Sequence, residues 1–352
     1  MHNLPGYSVY LAEYRNGRIP SAECSAGGAP VFLSLHIREE YSDTYEQEVV
    51  ELCRRLNDAG MKIVADIEKD TPSRFGVESV AALVKKLHLY GVRLDCGFSR
   101  EEIAKLAEEM PVAINASTVN AEDAKVILSH AVYPVVAMHN FYPRPETGLD
   151  EEYLKESTAA LHSLGLKTAA FVAGDMTRRG PIHEGLPTLE AHRFLPPSVG
   201  YIDLLERYGI DTAFVGDPGV SEKEVRRMRT FAVSDVIEVP CVLKTGYEDY
   251  YDRMFTCRID SPSWLVRAVE SRAYAGTSGR VEPAHETVER RVRGSITLDN
   301  EKYLRYCGEL QLIRKDLPAD ERVNVIGHVE KEYLDLLDLI ERGHRFVLKR
   351  ES

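Results

Sequence analysis

The sequence predicts an α/β protein: a (β/α)8 barrel of the TIM type over residues 1–235, then a smaller α+β domain over residues 236–352. Three observations predict it. About eight short apolar runs alternate with amphipathic segments through the first two-thirds of the chain, and strict β-α alternation implies a parallel sheet. The runs are continuously apolar, as in strands buried on both faces. Their count and length favour a closed barrel over an open doubly wound sheet, and the lack of a G-x-G-x-x-G after the first run weakens a dinucleotide-binding reading.

The strands are expected at residues 7–11, 31–35, 62–65, 92–94, 112–114, 132–137, 167–172 and 212–215. Helices are expected between them. Asp43 to Glu46, Ser99 to Glu102 and Ser221 to Glu224 have capping-box spacing, and Gly60 and Gly91 stop the segments before them. Residues 14–29 are polar and show no period. After residue 234 the pattern changes. Strands are expected at 236–243, 255–259, 294–297 and 346–348, helices at 263–272, 300–306 and 330–341, and an exposed loop at 276–280.

A parallel barrel carries its chemistry at the C-terminal ends of its strands. Those ends hold Glu13, His36, Asp66, Asp95, Asn115, His139, Asn140, Asp175 and Asp217. Single Asp or Asn residues often only cap a turn, but a whole rim of them points to a site. Lys62 and Lys167 lie at strand starts, so a Schiff-base lysine is not indicated. Several carboxylates suit glycoside hydrolysis, in which one acts as acid and another as base or nucleophile. Asp66, Asp95 and Asp175 are the strand-end candidates, with Glu146 and Glu184 in loops that reach the same rim.

Two loops are rich in binding groups. Residues 138–150, MHNFYPRPETGLD, are stiffened by Pro143 and Pro145 and carry His139, Asn140, Tyr142, Arg144 and Glu146. Residues 175–197 carry Arg178, Arg179, His183, Glu184, Glu190, His192 and Arg193, and are too long for a plain connection. Arg144 with Arg178 or Arg179 offers bidentate donors to a phosphate, whereas Asp217 would repel one.

The net charge of −12 argues against non-specific nucleic-acid binding. The six cysteines form no C-x-x-C pair and read as reduced thiols. With no basic leader and no membrane-length apolar run, a cytoplasmic location is expected. Homo-oligomerisation is left open. His36 and His139 with Asp66 or Asp175 would serve a metal-dependent phosphosugar isomerase or epimerase, though no H-x-H pair supports it. A non-catalytic sugar-phosphate binder is a further alternative.

Several stretches carry a resemblance: VFLSLHI at 31–37, GVRLDCGFS at 91–99, INAST at 114–118, MHNFYPRPETGLD at 138–150, RGPIHEGLPTLEAHR at 179–193 and GELQLIRKDLPADERVNVIG at 308–327. Through them the chain resembles the MupG-type 6-phospho-N-acetylmuramidases, formerly an "outer surface protein" family. The resemblance implies a barrel followed by a small cyclophilin-like β-barrel domain. It implies intracellular cleavage of N-acetylmuramic acid 6-phosphate from the non-reducing end of a disaccharide with N-acetylglucosamine, in cell-wall recycling. No cofactor or metal is expected. His36, Asn115, His139, Asn140, Tyr142, Arg144, Arg178, Arg179 and Asp217 would bind substrate. The chain departs from the family where FTCRID stands at 255–260; only Thr256, Arg258 and Asp260 fit the expected stretch.

Overall fold

The computed structural model describes residues 2–18, 24, 27–95, 97–271, 281–283 and 288–351. The chain divides into two compact units, residues 2–229 and 230–352.

The first unit is a closed parallel barrel. Its strands are β1 (Gly6–Val9), β2 (Pro30–Ser34), β3 (Lys62–Ile67), β4 (Gly91–Leu94), β5 (Val112–Asn115), β6 (Val135–Met138), β7 (Lys167–Val172) and β8 (Thr212–Val215). Each pairs with the next, and Tyr7 of β1 meets Val215 of β8 to close the ring. All eight expected strands are present, with shifted ends. The largest shift is at β6: Val132 is 74% exposed, and the apolar run enters the barrel only beyond Pro134.

Helices alternate with the strands as the sequence implied, and their starts are local. Ser99 and Glu102 form a reciprocal capping box at Arg100–Glu109, and Asp150 accepts the Tyr153 N–H at Glu151–Ser163. The box expected from Asp43 to Glu46 is not made. Thr44, not Asp43, precedes Tyr45–Asp58, with no side-chain cap. At Glu222–Ser234, Glu224 accepts the Ser198 N–H and pairs with Arg227.

Phe32, Ala113, Met138, Ala169, Phe171 and Phe214 form a buried cluster, with Val136 and Phe141 packed against it. Phe171 stands edge-on to Phe32 at 5.3 Å and to Phe141 at 5.1 Å. Gly6 makes room for Phe214: a Cβ there would lie 2.2 Å from the Phe214 ring. Strand side chains alternate with a period of two. The period that brings Phe32, Val64 and Met138 inward brings His36, Asp66 and Asn140 to the same side further along, at the strands' C-terminal ends.

The second unit is a seven-stranded sheet of β9 (Val236–Leu243), β10 (Met254–Thr256), β11 (Leu265–Arg267), β12 (Ser295–Asp299), β13 (Leu310–Ile313), β14 (Val323–Val329) and β15 (Arg345–Arg350). Its order is β10-β15-β9-β14-β12-β13-β11, antiparallel except for β15 beside β9. Here the sequence reading needs correction. The expected helix at 263–272 contains β11, which pairs with β13. The expected helix at 300–306 is a 3-10 segment broken at Leu304, where φ is 52°. The expected helix at 330–341 reduces to short turns at Lys331–Tyr333 and Leu336–Leu339. Strands β13 and β14 were not foreseen. The expected loop at 276–280 lies outside the described residues. Among the described residues no helix is long and apolar enough to cross a membrane.

Candidate active site

A cavity of about 270 Å³ opens at the C-terminal end of the barrel strands, lined by Phe32, His36, Asp66, Arg93, Asp95, His139, Asn140, Phe141, Tyr142 and Phe171. A larger cavity of about 450 Å³ opens at the strand starts, but its walls are mostly apolar and offer no group of carboxylates. The strand-end carboxylates Asp66 and Asp95 line the smaller one.

Arg93 organises its floor. Its Nη1 donates to Asp66 Oδ1 at 2.7 Å and to Asp95 Oδ1 at 3.2 Å, and its Nη2 donates to Asn140 Oδ1 at 2.6 Å. Arg93 and Asp66 are both buried. His36 Nδ1 lies 3.5 Å from Asp66 Oδ2. Burial holds the Asp66 carboxyl above its ordinary pKa, although Arg93 and His36 pull it down. Asp95 is more open, with 26% of its side chain exposed. Two carboxylates thus share one guanidinium nitrogen in different environments, an arrangement that separates acid from base roles.

His139 is 1% exposed, and neither ring nitrogen has a hydrogen-bond partner. Burial lowers its pKa to about 4, so the imidazole is neutral near pH 7. A buried neutral ring with two unused polar atoms, in the wall of a cavity, is suited to a ligand's polar groups.

The remaining candidates fall outside this floor. Asp175 is exposed and holds Ser221, accepting its N–H at 2.8 Å and its hydroxyl at 2.6 Å. Asp217 is buried and accepts the N–H groups of Gly174, Arg179 and Leu186 at 2.9–3.0 Å. Its oxygens brace the 174–186 backbone. Asn115 turns back to accept the Ser117 N–H. Arg144 and Glu146 are exposed, and Glu184 is half-buried without lining the cavity. Arg178 lies over the exposed ring of Phe194. Arg179 is better placed: its guanidinium lies 5.0 Å from the Tyr10 ring and 5.2 Å from that of Phe141, which lines the cavity. Glu13, expected at the rim, sits in the helix Leu11–Arg15 and pairs with Arg18.

Arg93 was missed from sequence because it lies inside an apolar strand, between Val92 and Leu94. A charged residue at an inward position two before Asp95 was the available signal.

The barrel unit matches the family model described as "6-phospho-N-acetylmuramidase, N-terminal" over residues 5–230, and residues 238–349 match its C-terminal counterpart. The chain belongs to the 6-phospho-N-acetylmuramidase family. Among solved structures, this family member is similar to a conserved protein of unknown function from Enterococcus faecalis, with 31% identity, a TM-score of 0.84, and 99% of this chain and 97% of that one covered. It is also similar to an uncharacterized B. cereus protein, with 25% identity, a TM-score of 0.79 and 99% of each chain covered. No curated protein matches it. In this muramidase-family chain, Arg258 and Asp260, two of the three residues that fit the family stretch, share a charge network with Arg267 and Glu309. Arg258 pairs with Asp260 at 2.8 Å, and Arg267 pairs with buried Glu309 at 2.6 Å.

Proposed function

We propose that the protein hydrolyses disaccharides whose non-reducing sugar is N-acetylmuramic acid 6-phosphate, with Asp66 and Asp95 as the working carboxylates. The observation that carries this reading is their common attachment to Arg93 Nη1 inside the strand-end cavity. Asp66, whose carboxyl keeps its proton to higher pH than usual, gives that proton to the glycosidic oxygen as the bond to the anomeric carbon breaks. Asp95 either activates the water that adds to the anomeric carbon or orients the substrate's acetamido oxygen to attack first. In the second case water then opens the cyclic intermediate. Both routes give N-acetylmuramic acid 6-phosphate and the second sugar.

Phe141 and Tyr142 offer faces for the sugar ring, and His139 offers a donor and an acceptor to its hydroxyls. Arg179, between Tyr10 and Phe141, answers the substrate's negative charge. We assign the second unit to the cyclophilin-like class, a reading that its seven-stranded, mostly antiparallel sheet supports. A place in cell-wall recycling, inside the cell and after phosphorylation of the disaccharide, follows from the same reading.

The test compares cleavage of the 6-phosphorylated muramyl disaccharide with that of its unphosphorylated form. Phosphate-dependent release of the second sugar is expected. Equal rates would refute phosphate recognition, and cleavage of neither would refute the activity.

A further inference from the structure

The loop after β6 and the long segment after β7 are joined by backbone hydrogen bonds, from Tyr142 N–H to Pro187 and from Leu149 N–H to Thr188, and by an ion pair between Glu190 and a buried arginine, Arg193. Arg193 is 1% exposed although it lies in a connecting segment. Its Nε and Nη2 donate to the two oxygens of Glu190 at 2.7 and 2.6 Å. Its Nη1 donates to the carbonyls of Tyr142 and Gly185 at 3.0 and 3.1 Å, and its Nη2 reaches the carbonyl of Arg144 at 3.2 Å. Glu190 in turn accepts the N–H groups of Glu146 and Gly148 at 2.9 and 2.8 Å. Arg193 lowers the Glu190 pKa to about 2, so the pair stays ionised at neutral pH. Gly148 is required at this contact, because a Cβ there would come within 2.7 Å of both the Glu190 nitrogen and carboxylate.

Two ionised side chains therefore satisfy main-chain groups of residues 142, 144, 146 and 148, a stretch with no helix or strand to hold it. The same stretch carries Tyr142 to the cavity, directly after Asn140 and Phe141. Asn140 is also the residue that engages Arg93. A lysine at 193 would supply one point charge where a planar fork now spans two carboxylate oxygens and the carbonyls of residues 142, 144, 184 and 185.

We propose that Glu190 and Arg193 act as a positioning latch: they fix loop 140–148 over the cavity, and productive substrate binding depends on them. The proposal rests on the function argued above for its substrate, but its structural half can be tested without it. Neither residue touches the reacting atoms, so both are positioning residues.

The experiment uses full-length Glu190→Gln and Arg193→Lys. Glu190→Gln keeps the side-chain volume, which guards against loss of the fold. In each variant the Glu146 and Gly148 amides should exchange with deuterium faster, while amides of the barrel strands stay protected. With the 6-phosphorylated muramyl disaccharide, kcat/KM should fall about tenfold or more, chiefly through KM, because the loop supplies binding groups and not the carboxylates. Unchanged exchange would overturn the latch. Faster exchange with unchanged kinetics would overturn its role in binding. If the wild-type protein does not cleave the disaccharide, the functional reading fails. The exchange result, together with the affinity for N-acetylmuramic acid 6-phosphate, then decides the latch.

Discussion

Arg93 Nη1 lies 2.7 Å from Asp66 Oδ1, and the pair is closed off from solvent on the floor of the barrel cavity. Breaking this contact from the arginine side leaves a buried carboxyl without its donor. Arg93→Met should therefore cost about 1–3 kcal/mol in urea unfolding. Asp66→Asn with Arg93→Met should recover part of that loss, because it removes the buried acid. A double variant no more stable than Arg93→Met would mean that the pair is not coupled.

The two carboxylates on Arg93 should behave alike in kinetics. Asp66→Asn and Asp95→Asn should each lower kcat by about 10²–10⁴ with circular dichroism spectra close to wild type. Wild-type turnover by either variant would remove that residue from the mechanism.

Asp175 should behave differently, since its oxygens are taken by Ser221. Asp175→Ala should cost about 1 kcal/mol of stability, as loss of a helix-start bond does. Turnover should stay within about threefold of wild type. A large loss of kcat at preserved stability would restore Asp175 to the chemistry.

His139 sets a pH dependence. Its pKa is about 4 in the folded protein against 6.5 when unperturbed, so the unfolded chain binds the extra proton first. Stability from this group is complete above pH 6.5, falls as pH drops towards 4, and levels off below that. The full effect is about 3 kcal/mol. His139→Gln should flatten the acid limb of the urea midpoint between pH 6.5 and 4. An unchanged limb would place the titration elsewhere.

The barrel was legible because its strands are apolar runs buried on both faces, and such runs stand out against amphipathic helices. The second unit was less so. Its short strands, such as Leu265–Arg267, place polar and apolar residues in a period too brief to separate from a helix turn. Leu310–Ile313 and most of Val323–Val329 lie in the stretch that carries the family resemblance, but a resemblance in motif does not by itself mark a strand.

Sequence by itself determined the eight-fold alternation and the rim on which the polar residues gather, since both follow from local periodicity and strand direction. It also determined the family, through motifs continuous in the chain. Only the tertiary structure decided which rim carboxylates share a cavity. Asp66, Asp95, Asp175 and Asp217 are equivalent as strand-end aspartates. They differ because Arg93 gathers the first two, Ser221 takes the third, and three backbone N–H groups take the fourth. Those partners come from other strands and loops. A carboxylate's role is set by what neutralises it, and that is a property of the fold rather than of the chain around it.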